Sequence, residues 1–265
     1  AGTANYTSTG SISLLEDYLQ KDDDSDGDLD GVLAQGTGRI GLLVDPAGSL
    51  TGNIRMTGGN ITVEGNNSAG VSIRSALIGD YNSSSAVAIT GGNGVGVEFR
   101  EDVTGNVRLG GSITARGEAT VGARMLGDVS GEFMIDGAIS ATGFSNTTLS
   151  NYEDPDEADS NNTGTDEPAS LEPDDLLVGG SAVEVRGNLA RGFLINGQAV
   201  GGADPTDTVK DVVQDFNENR TTASITSIGS APAVVVQSLD GGAGSNIVLS
   251  KVRESVPDTL YDDKD

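Results

Sequence analysis

Residues 85–131 read SAVAITGGNGVGVEFREDVTGNVRLGGSITARGEATVGARMLGDVSG, and the glycines of this stretch recur at a fixed interval. Gly91 and Gly117, for example, lie 26 positions apart. Three series share the interval: Gly65, Gly91, Gly117 and Gly143; Gly79, Gly105 and Gly131; and Gly70, Gly96 and Gly122. An internal repeat of this length predicts structural units that stack on one another.

The segments between these glycines alternate apolar and polar residues, which is typical of strands with one buried face. Each repeat holds three such segments, so we predict an all-β solenoid (a parallel β-helix) with 26-residue coils and three short strands per coil. Stacking would bury one apolar column made of Ile61, Val87, Ile113 and Ile139, and a second made of Val71, Val97 and Ala123.

We predict that the chain forms one solenoid domain, interrupted by two inserted loops. The expected parts are an N-terminal cap with an acidic loop (1–35), regular coils (36–144), an acidic insertion (145–182), a further coil (183–201), an inserted loop or short helix (202–222), and the last coils with a C-terminal tail (223–265). In the further coil, Gly187 is aligned with Gly143 because a glycine follows it five residues later, as in the earlier repeats.

The composition excludes several functions. The net charge of -25 argues against binding to nucleic acid, which requires a basic surface. No apolar run is long enough to span a bilayer, so we expect no direct insertion into a membrane. The chain has no histidine and no cysteine, which rules out a Ser–His–Asp triad and thiolate chemistry.

The acidic loop near the N-terminus is the candidate metal site. Asp22, Asp24, Asp26, Asp28 and Asp30 alternate around Gly27, and oxygen ligands at alternate positions around a sharp glycine turn suit calcium. Leu33 stands where an EF-hand has its bidentate glutamate, so a complete EF-hand is not expected. The alternative is a solvated acidic turn that binds no metal.

Polar columns on the outer faces are a second candidate. The repeat places Glu64, Thr90, Arg116, Thr142 and Arg186 on one face, and Arg74 with Arg100 on another. A surface crossed by ion pairs between coils is the favoured interpretation. The acidic insertion lies within a stretch that has no Lys or Arg, between Arg124 and Arg186. It is either a cation-bridged contact with a neighbouring molecule or a solvated loop.

Residues 85–131, together with DSDGDLDGVLAQGTGRIGLL at 24–43, resemble the passenger regions of alphaproteobacterial autotransporter-like surface proteins. The resemblance implies a right-handed parallel β-helix that is exported to the extracellular or outer-membrane surface of a bacterium.

The expected function is that of a non-catalytic surface protein, structural or adhesive, which assembles into fibres or matrix with calcium. Its partner would be itself, through end-to-end or lateral contacts, or a component of the cell surface or matrix. The alternative function is a calcium-dependent polysaccharide lyase or another carbohydrate-active β-helix enzyme.

Overall fold

The computed structural model describes residues 2–21, 31–45, 48–143, 177–195 and 223–237. Within these ranges the chain is all-β, without helices, and its strands form four parallel sheets. The Asp22–Asp30 loop, most of the acidic insertion, the loop or helix predicted at 202–222 and residues 238–265 of the C-terminal part lie outside the described residues.

Each sheet takes its strands from successive passes of the chain, and we call one pass through the sheets a coil. Sheet A contains β1 (Gly2–Thr3), β5 (Leu50–Thr51), β9 (Leu77–Ile78) and β13 (Val103–Thr104). Sheet B contains β2 (Tyr6–Ser8), β6 (Ile54–Met56), β10 (Tyr81–Ser83), β14 (Val107–Leu109), β17 (Phe133–Ile135) and β20 (Phe193–Ile195).

The two remaining sheets have six strands each. Sheet C contains β3 (Ile12–Leu14), β7 (Asn60–Glu64), β11 (Ala86–Thr90), β15 (Ile113–Arg116), β18 (Ala138–Thr142) and β21 (Ser224–Ser227). Sheet D contains β4 (Ile40–Val44), β8 (Ala69–Ile73), β12 (Val95–Phe99), β16 (Val121–Met125), β19 (Val183–Val185) and β22 (Val234–Val236).

The strands stack in register, which is consistent with a β-solenoid. Val87 pairs with Ile61 on one side and with Ile113 on the other, 26 positions away in each direction. The predicted column Ile61, Val87, Ile113 and Ile139 is confirmed, and so is the column Val71, Val97 and Ala123. All seven side chains are buried in one continuous core.

Sheet A was not predicted, because the sequence pattern indicates three strands per coil and sheet A adds a fourth. Its strands have two residues each, and in β9 and β13 the first residue is buried and the second exposed: Leu77 and Val103 are buried, whereas Ile78 is exposed. Two residues are too few for an alternating pattern to show in the sequence.

The core is narrow, and its few aromatic rings contact one another. Tyr81 and Phe99 meet edge to face with ring centroids 4.9 Å apart, and Phe133 stacks on Phe193 at 5.1 Å. A core one coil wide needs little aromatic bulk, in agreement with an aromatic content of 4%.

The glycines within β8, β12 and β16 of sheet D are required by close approach, whereas the same position before β19 and β22 is alanine (Ala182 and Ala233). A Cβ at Gly96 would lie 2.5 Å from the carbonyl oxygen of Gly122 and would also collide with Cγ2 of Ile113. Gly70 and Gly122 occupy the same position in the neighbouring coils and face similar collisions. This glycine column therefore lets sheets C and D approach each other at the corner.

The alignment of Gly187 with Gly143 is wrong. Val183 pairs with Ala123 in sheet D, and Phe193 pairs with Phe133 in sheet B. Gly187 consequently lies against Gly127. Glycine pairs with a spacing of five occur at more than one place in the repeat, as in Gly117 with Gly122 and Gly105 with Gly110, so this spacing alone does not fix the alignment after an insertion.

Candidate functional site: a polar ladder on sheet D

The outer face of sheet D carries a row of polar side chains that runs from coil to coil. The paired strands place Ser72, Glu98, Arg124 and Glu184 in one column. Arg74, Arg100 and Arg186 directly follow β8, β12 and β19 and lie beside this column. We call these seven residues, together with Gln237, the arginine–glutamate ladder.

Glu98 is the centre of the first half of the ladder. Only 3% of its side chain is exposed, although it belongs to the outer face. Its Oε1 atom accepts a hydrogen bond from the Ser72 hydroxyl at 2.5 Å and another from Arg100 Nε at 3.0 Å. Arg74 Nη2 lies 3.8 Å from the same oxygen, and Arg74 Nε donates to Ser72 Oγ at 2.9 Å. Two guanidinium groups therefore converge on one carboxylate.

Glu184 repeats the arrangement two strands further along. Arg124 Nε donates to Oε2 of Glu184 at 2.8 Å, and Arg186 Nη2 lies 3.8 Å from Oε1. Arg186 Nη1 also donates to Gln237 Oε1 at 2.6 Å. Each half of the ladder thus contains two arginines and one largely buried glutamate.

The charge of the ladder is opposite to that of the whole chain. Four guanidinium groups surround two carboxylates, so each half carries a net charge of about +1 at neutral pH. Arg100 and Arg124 each donate to their glutamate through Nε, and among the described residues no hydrogen bond involves their terminal nitrogens. Because the glutamates hold the guanidinium groups in place, these nitrogens are preorganised for an anionic partner.

The predicted outer columns are confirmed in part. Glu64, Thr90, Arg116 and Thr142 are in register along sheet C, as expected. Arg186 does not belong with them, because it follows β19 of sheet D and contacts Glu184. The error follows from the misplaced alignment of Gly187.

The sequence reasoning missed the ladder as a unit. Ser72, Glu98 and Arg124 are spaced by 26, which is a usable signal, but the partners of Arg124 lie beyond the acidic insertion. The spacing from Arg124 to Glu184 is 60 residues, so the repeat length alone could not find that contact.

The candidate calcium ligands Asp22, Asp24, Asp26, Asp28 and Asp30 lie outside the described residues. The loop leaves sheet C after β3 and returns in β4 of sheet D. The acidic insertion likewise leaves after β18 and returns before β19, so both acidic segments depart from the corner between sheets C and D. In the part of the chain that the structure describes, no group of three or more acidic residues is arranged to hold a metal ion.

A second polar row supports the corner between sheets A and B. The Asn5 side chain accepts a hydrogen bond from the backbone NH of Asn53, and the Asn53 side chain accepts one from Asp80. The Asp80 side chain accepts a hydrogen bond from the backbone NH of Asn106, and the Asn106 side chain accepts one from the backbone NH of Glu132. These contacts satisfy backbone donors at the corners, which indicates a structural role.

The N-terminal end of the stack is incompletely buried. Strands β1, β2, β3 and β4 are each the last strand of their sheet. Leu42 and Val44 are partly buried, whereas their partners Val71 and Ile73 in the next coil are fully buried. Among the described residues, no strand pairs with the outer edge of these four strands.

Comparison of the chain with protein-family models, with curated proteins and with solved structures gives no match. The described residues contain no helix long and apolar enough to cross a bilayer.

Proposed function

We propose that this protein is a non-catalytic structural or adhesive component of a bacterial cell surface, built as a right-handed parallel β-helix with 26-residue coils. It is of the kind found in autotransporter passengers and is exported to the extracellular or outer-membrane surface. Its copies associate end to end into fibres or matrix. The observation that carries the proposal is the open edge formed by β1–β4, with its half-buried apolar side chains.

The terminal strands β1–β4 leave backbone groups unpaired at their outer edge. A terminal strand in each of four sheets presents NH and C=O groups that pair readily with another strand. A second copy stacked on this edge would also bury Leu42 and Val44, as β4 covers the corresponding residues Val71 and Ile73 of β8 within the chain. A contact between two different surfaces, repeated from copy to copy, produces an open filament.

Calcium has a place in this proposal. The Asp22–Asp30 loop belongs to the same coil as the open edge, because it connects β3 with β4. A calcium ion bound there would reduce the repulsion between chains that each carry a net charge of -25.

The test is electron microscopy of concentrated protein with and without calcium, together with Leu42→Lys. Leu42 is partly buried against the core at the edge, whereas its neighbour Leu43 points outward and is exposed, so Leu43→Lys is the matched control. We expect filaments from the wild type and from the control, and single particles from Leu42→Lys. Only single particles from the wild type under all conditions would contradict the proposal.

The same preparation tests the catalytic alternative. Incubation with a polyuronate and calcium, followed by ultraviolet absorbance of unsaturated uronides, detects a lyase directly. We expect no absorbance increase; a sustained increase that scales with protein concentration would replace the structural function with an enzymatic one.

A further inference from the structure

We propose that the arginine–glutamate ladder binds an acidic polysaccharide along the stacking axis, through carboxylate groups on the polymer. The inference deepens the proposed adhesive function by naming the class of matrix component that the protein holds, and in that sense it rests on that function. It depends on the geometry of sheet D and not on the open edge.

The arginines of the ladder are preorganised by their glutamates. In both halves, a largely buried glutamate receives the Nε atom of one arginine: Glu98 from Arg100, and Glu184 from Arg124. This contact fixes the plane of the guanidinium group. The terminal nitrogens form the edge with which arginine recognises carboxylate groups in a bidentate manner.

Each half of the ladder carries more positive than negative charge. One carboxylate cannot neutralise two guanidinium groups, so an additional anion at each half is attracted. The side chain of Arg100 is 48% exposed and that of Arg124 is 28% exposed, which leaves both accessible to a ligand. Their glutamates are paired with these arginines, and the pairing offsets their repulsion of an incoming anion.

The spacing of the two halves suits a linear polymer. Glu98 pairs with Arg124, and Arg124 pairs with Glu184, so the two glutamates are two strands apart. With a strand spacing of about 4.8 Å, the two glutamates lie about 10 Å apart along the axis, whereas Arg100 and Arg124, on the neighbouring strands β12 and β16, are separated by about one strand spacing along it. A linear polymer with regularly repeated carboxylates can contact both halves at once, and the second contact is then strengthened by the high effective concentration.

The polar character of the face favours a polysaccharide over a protein partner. Between the two halves, the outer side chains are charged except for the half-buried Leu126. Protein interfaces depend on buried aromatic or large apolar anchors; no exposed aromatic residue lies in this row, and the exposed Leu43 lies at its end, in register with Ser72. A hydrated, anionic polymer does not require such an anchor.

The net charge of the chain sets the conditions for the experiment. Binding is measured by microscale thermophoresis against a polyuronate and against neutral dextran, at about 0.15 M salt, where charges more than about 8 Å away are screened. A chelator is present throughout, so that divalent cations cannot bridge the polymer to the acidic segments. Circular dichroism checks that every variant is folded.

The decisive variant is Arg100→Gln with Arg124→Gln. We expect it to bind polyuronate at least about tenfold more weakly than the wild type, since two charge-assisted contacts are lost. Arg100→Lys with Arg124→Lys retains the positive charge but not the planar guanidinium group, and its affinity for polyuronate should lie between those of the wild type and the glutamine variant. The control, Arg55→Gln with Arg191→Gln, removes two exposed arginines outside sheet D and should bind as the wild type does.

Three results would overturn the assignment: no binding of polyuronate by the wild type, equal binding by the ladder and control variants, or equal affinity for dextran. If Arg100→Gln with Arg124→Gln loses self-association as well as polymer binding, and the control variant keeps both, the ladder is a contact between copies and not a polysaccharide site. Filaments that form normally in a protein without polymer affinity would refute this inference alone, and the proposed assembly would stand.

Discussion

The hydroxyl of Ser72 donates a 2.5 Å hydrogen bond to Oε1 of Glu98, 26 residues further along the chain, and so joins two neighbouring coils on the outer face of sheet D. Serine is small enough to lie beneath the carboxylate, and the arginines on either side supply the opposite charge. The pair shows how a chain with few basic residues uses them: to hold buried carboxylates and to create a local region of opposite charge.

Replacing Glu98 with alanine should lower the free energy of unfolding by about 2–3 kcal/mol, because Arg74 and Arg100 lose their shared counterion and Ser72 loses its acceptor. Glu98→Gln keeps an acceptor and should cost less. Urea denaturation monitored by circular dichroism measures both. Glu101→Ala, at an exposed carboxylate in the same coil, is the control and should change stability little; a similar loss there would show that the effect is not specific to the ladder.

Gly96→Ala should destabilise the protein by about 2–3 kcal/mol, since the added methyl group meets both backbone and core in a tightly packed corner. Gly92→Ala is the matched control in the preceding turn, where the nearest atom to the added Cβ is 3.5 Å away. Differential scanning calorimetry of the two variants compares the positions. Equal melting temperatures would contradict the close approach of sheets C and D.

Tyr81→Phe should leave the protein as stable as the wild type or more stable by about 1 kcal/mol. The Tyr81 hydroxyl is completely buried in the core; the Ser83 hydroxyl lies nearby, but among the described residues neither hydroxyl makes a hydrogen bond of normal geometry. Removing an unsatisfied buried group relieves a desolvation cost. A marked loss of stability in urea would show that the hydroxyl is bonded in solution.

The same residue predicts a pH dependence. Burial raises the pKa of Tyr81 above its ordinary value of 10.0, and the nearby Ser83 hydroxyl offsets this only in part. The unfolded chain therefore releases this proton before the folded chain does, and stability falls as the pH rises above 10.0, by up to about 1.4 kcal/mol per pH unit. Urea denaturation between about pH 9 and 11 should show a shallower decline in Tyr81→Phe, and identical slopes would contradict the assignment.

Asp80→Ala should cost about 1 kcal/mol, because the backbone NH and the side-chain amide of Asn106 both donate to its carboxylate. Asp80→Asn preserves an acceptor at this position and should be close to the wild type. Thermal denaturation of the two variants separates the loss of the hydrogen bond from the loss of charge. If the asparagine variant is as unstable as the alanine variant, charge is responsible and not the acceptor.

Millimolar calcium should raise the melting temperature if the Asp22–Asp30 loop binds it; a concentration of about 100 times the dissociation constant stabilises by about 2.7 kcal/mol. Asp26→Ala should abolish the rise, and Asp23→Ala, which lies between ligand positions, should not. A wild-type melting temperature that is the same in calcium and in chelator would leave the solvated acidic turn as the correct interpretation.

The stacked core could be predicted from sequence because its cause is periodic. Each glycine that permits a corner recurs with the coil, so the 26-residue spacing alone places Ile61 and Val87 in one column. The prediction was wrong where the sequence is not periodic. The insertion before Val183 interrupts the 26-residue spacing, so Gly187 was aligned with the wrong glycine and Arg186 was assigned to the wrong face. The ladder's geometry depends on side-chain directions, which a repeat length does not specify.

The two acidic segments both interrupt the chain at the corner between sheets C and D, where the ordinary coils need only the turns 65–68, 91–94 and 117–120. The strands on either side keep their register whether the connection is short or several dozen residues long, as the pairing of β16 with β19 shows. For evolution this corner is a permissive position, where length can change without repacking the core. For protein engineering it is a natural place to graft a foreign peptide, and a row of such grafts would be displayed at intervals of one coil along a single edge.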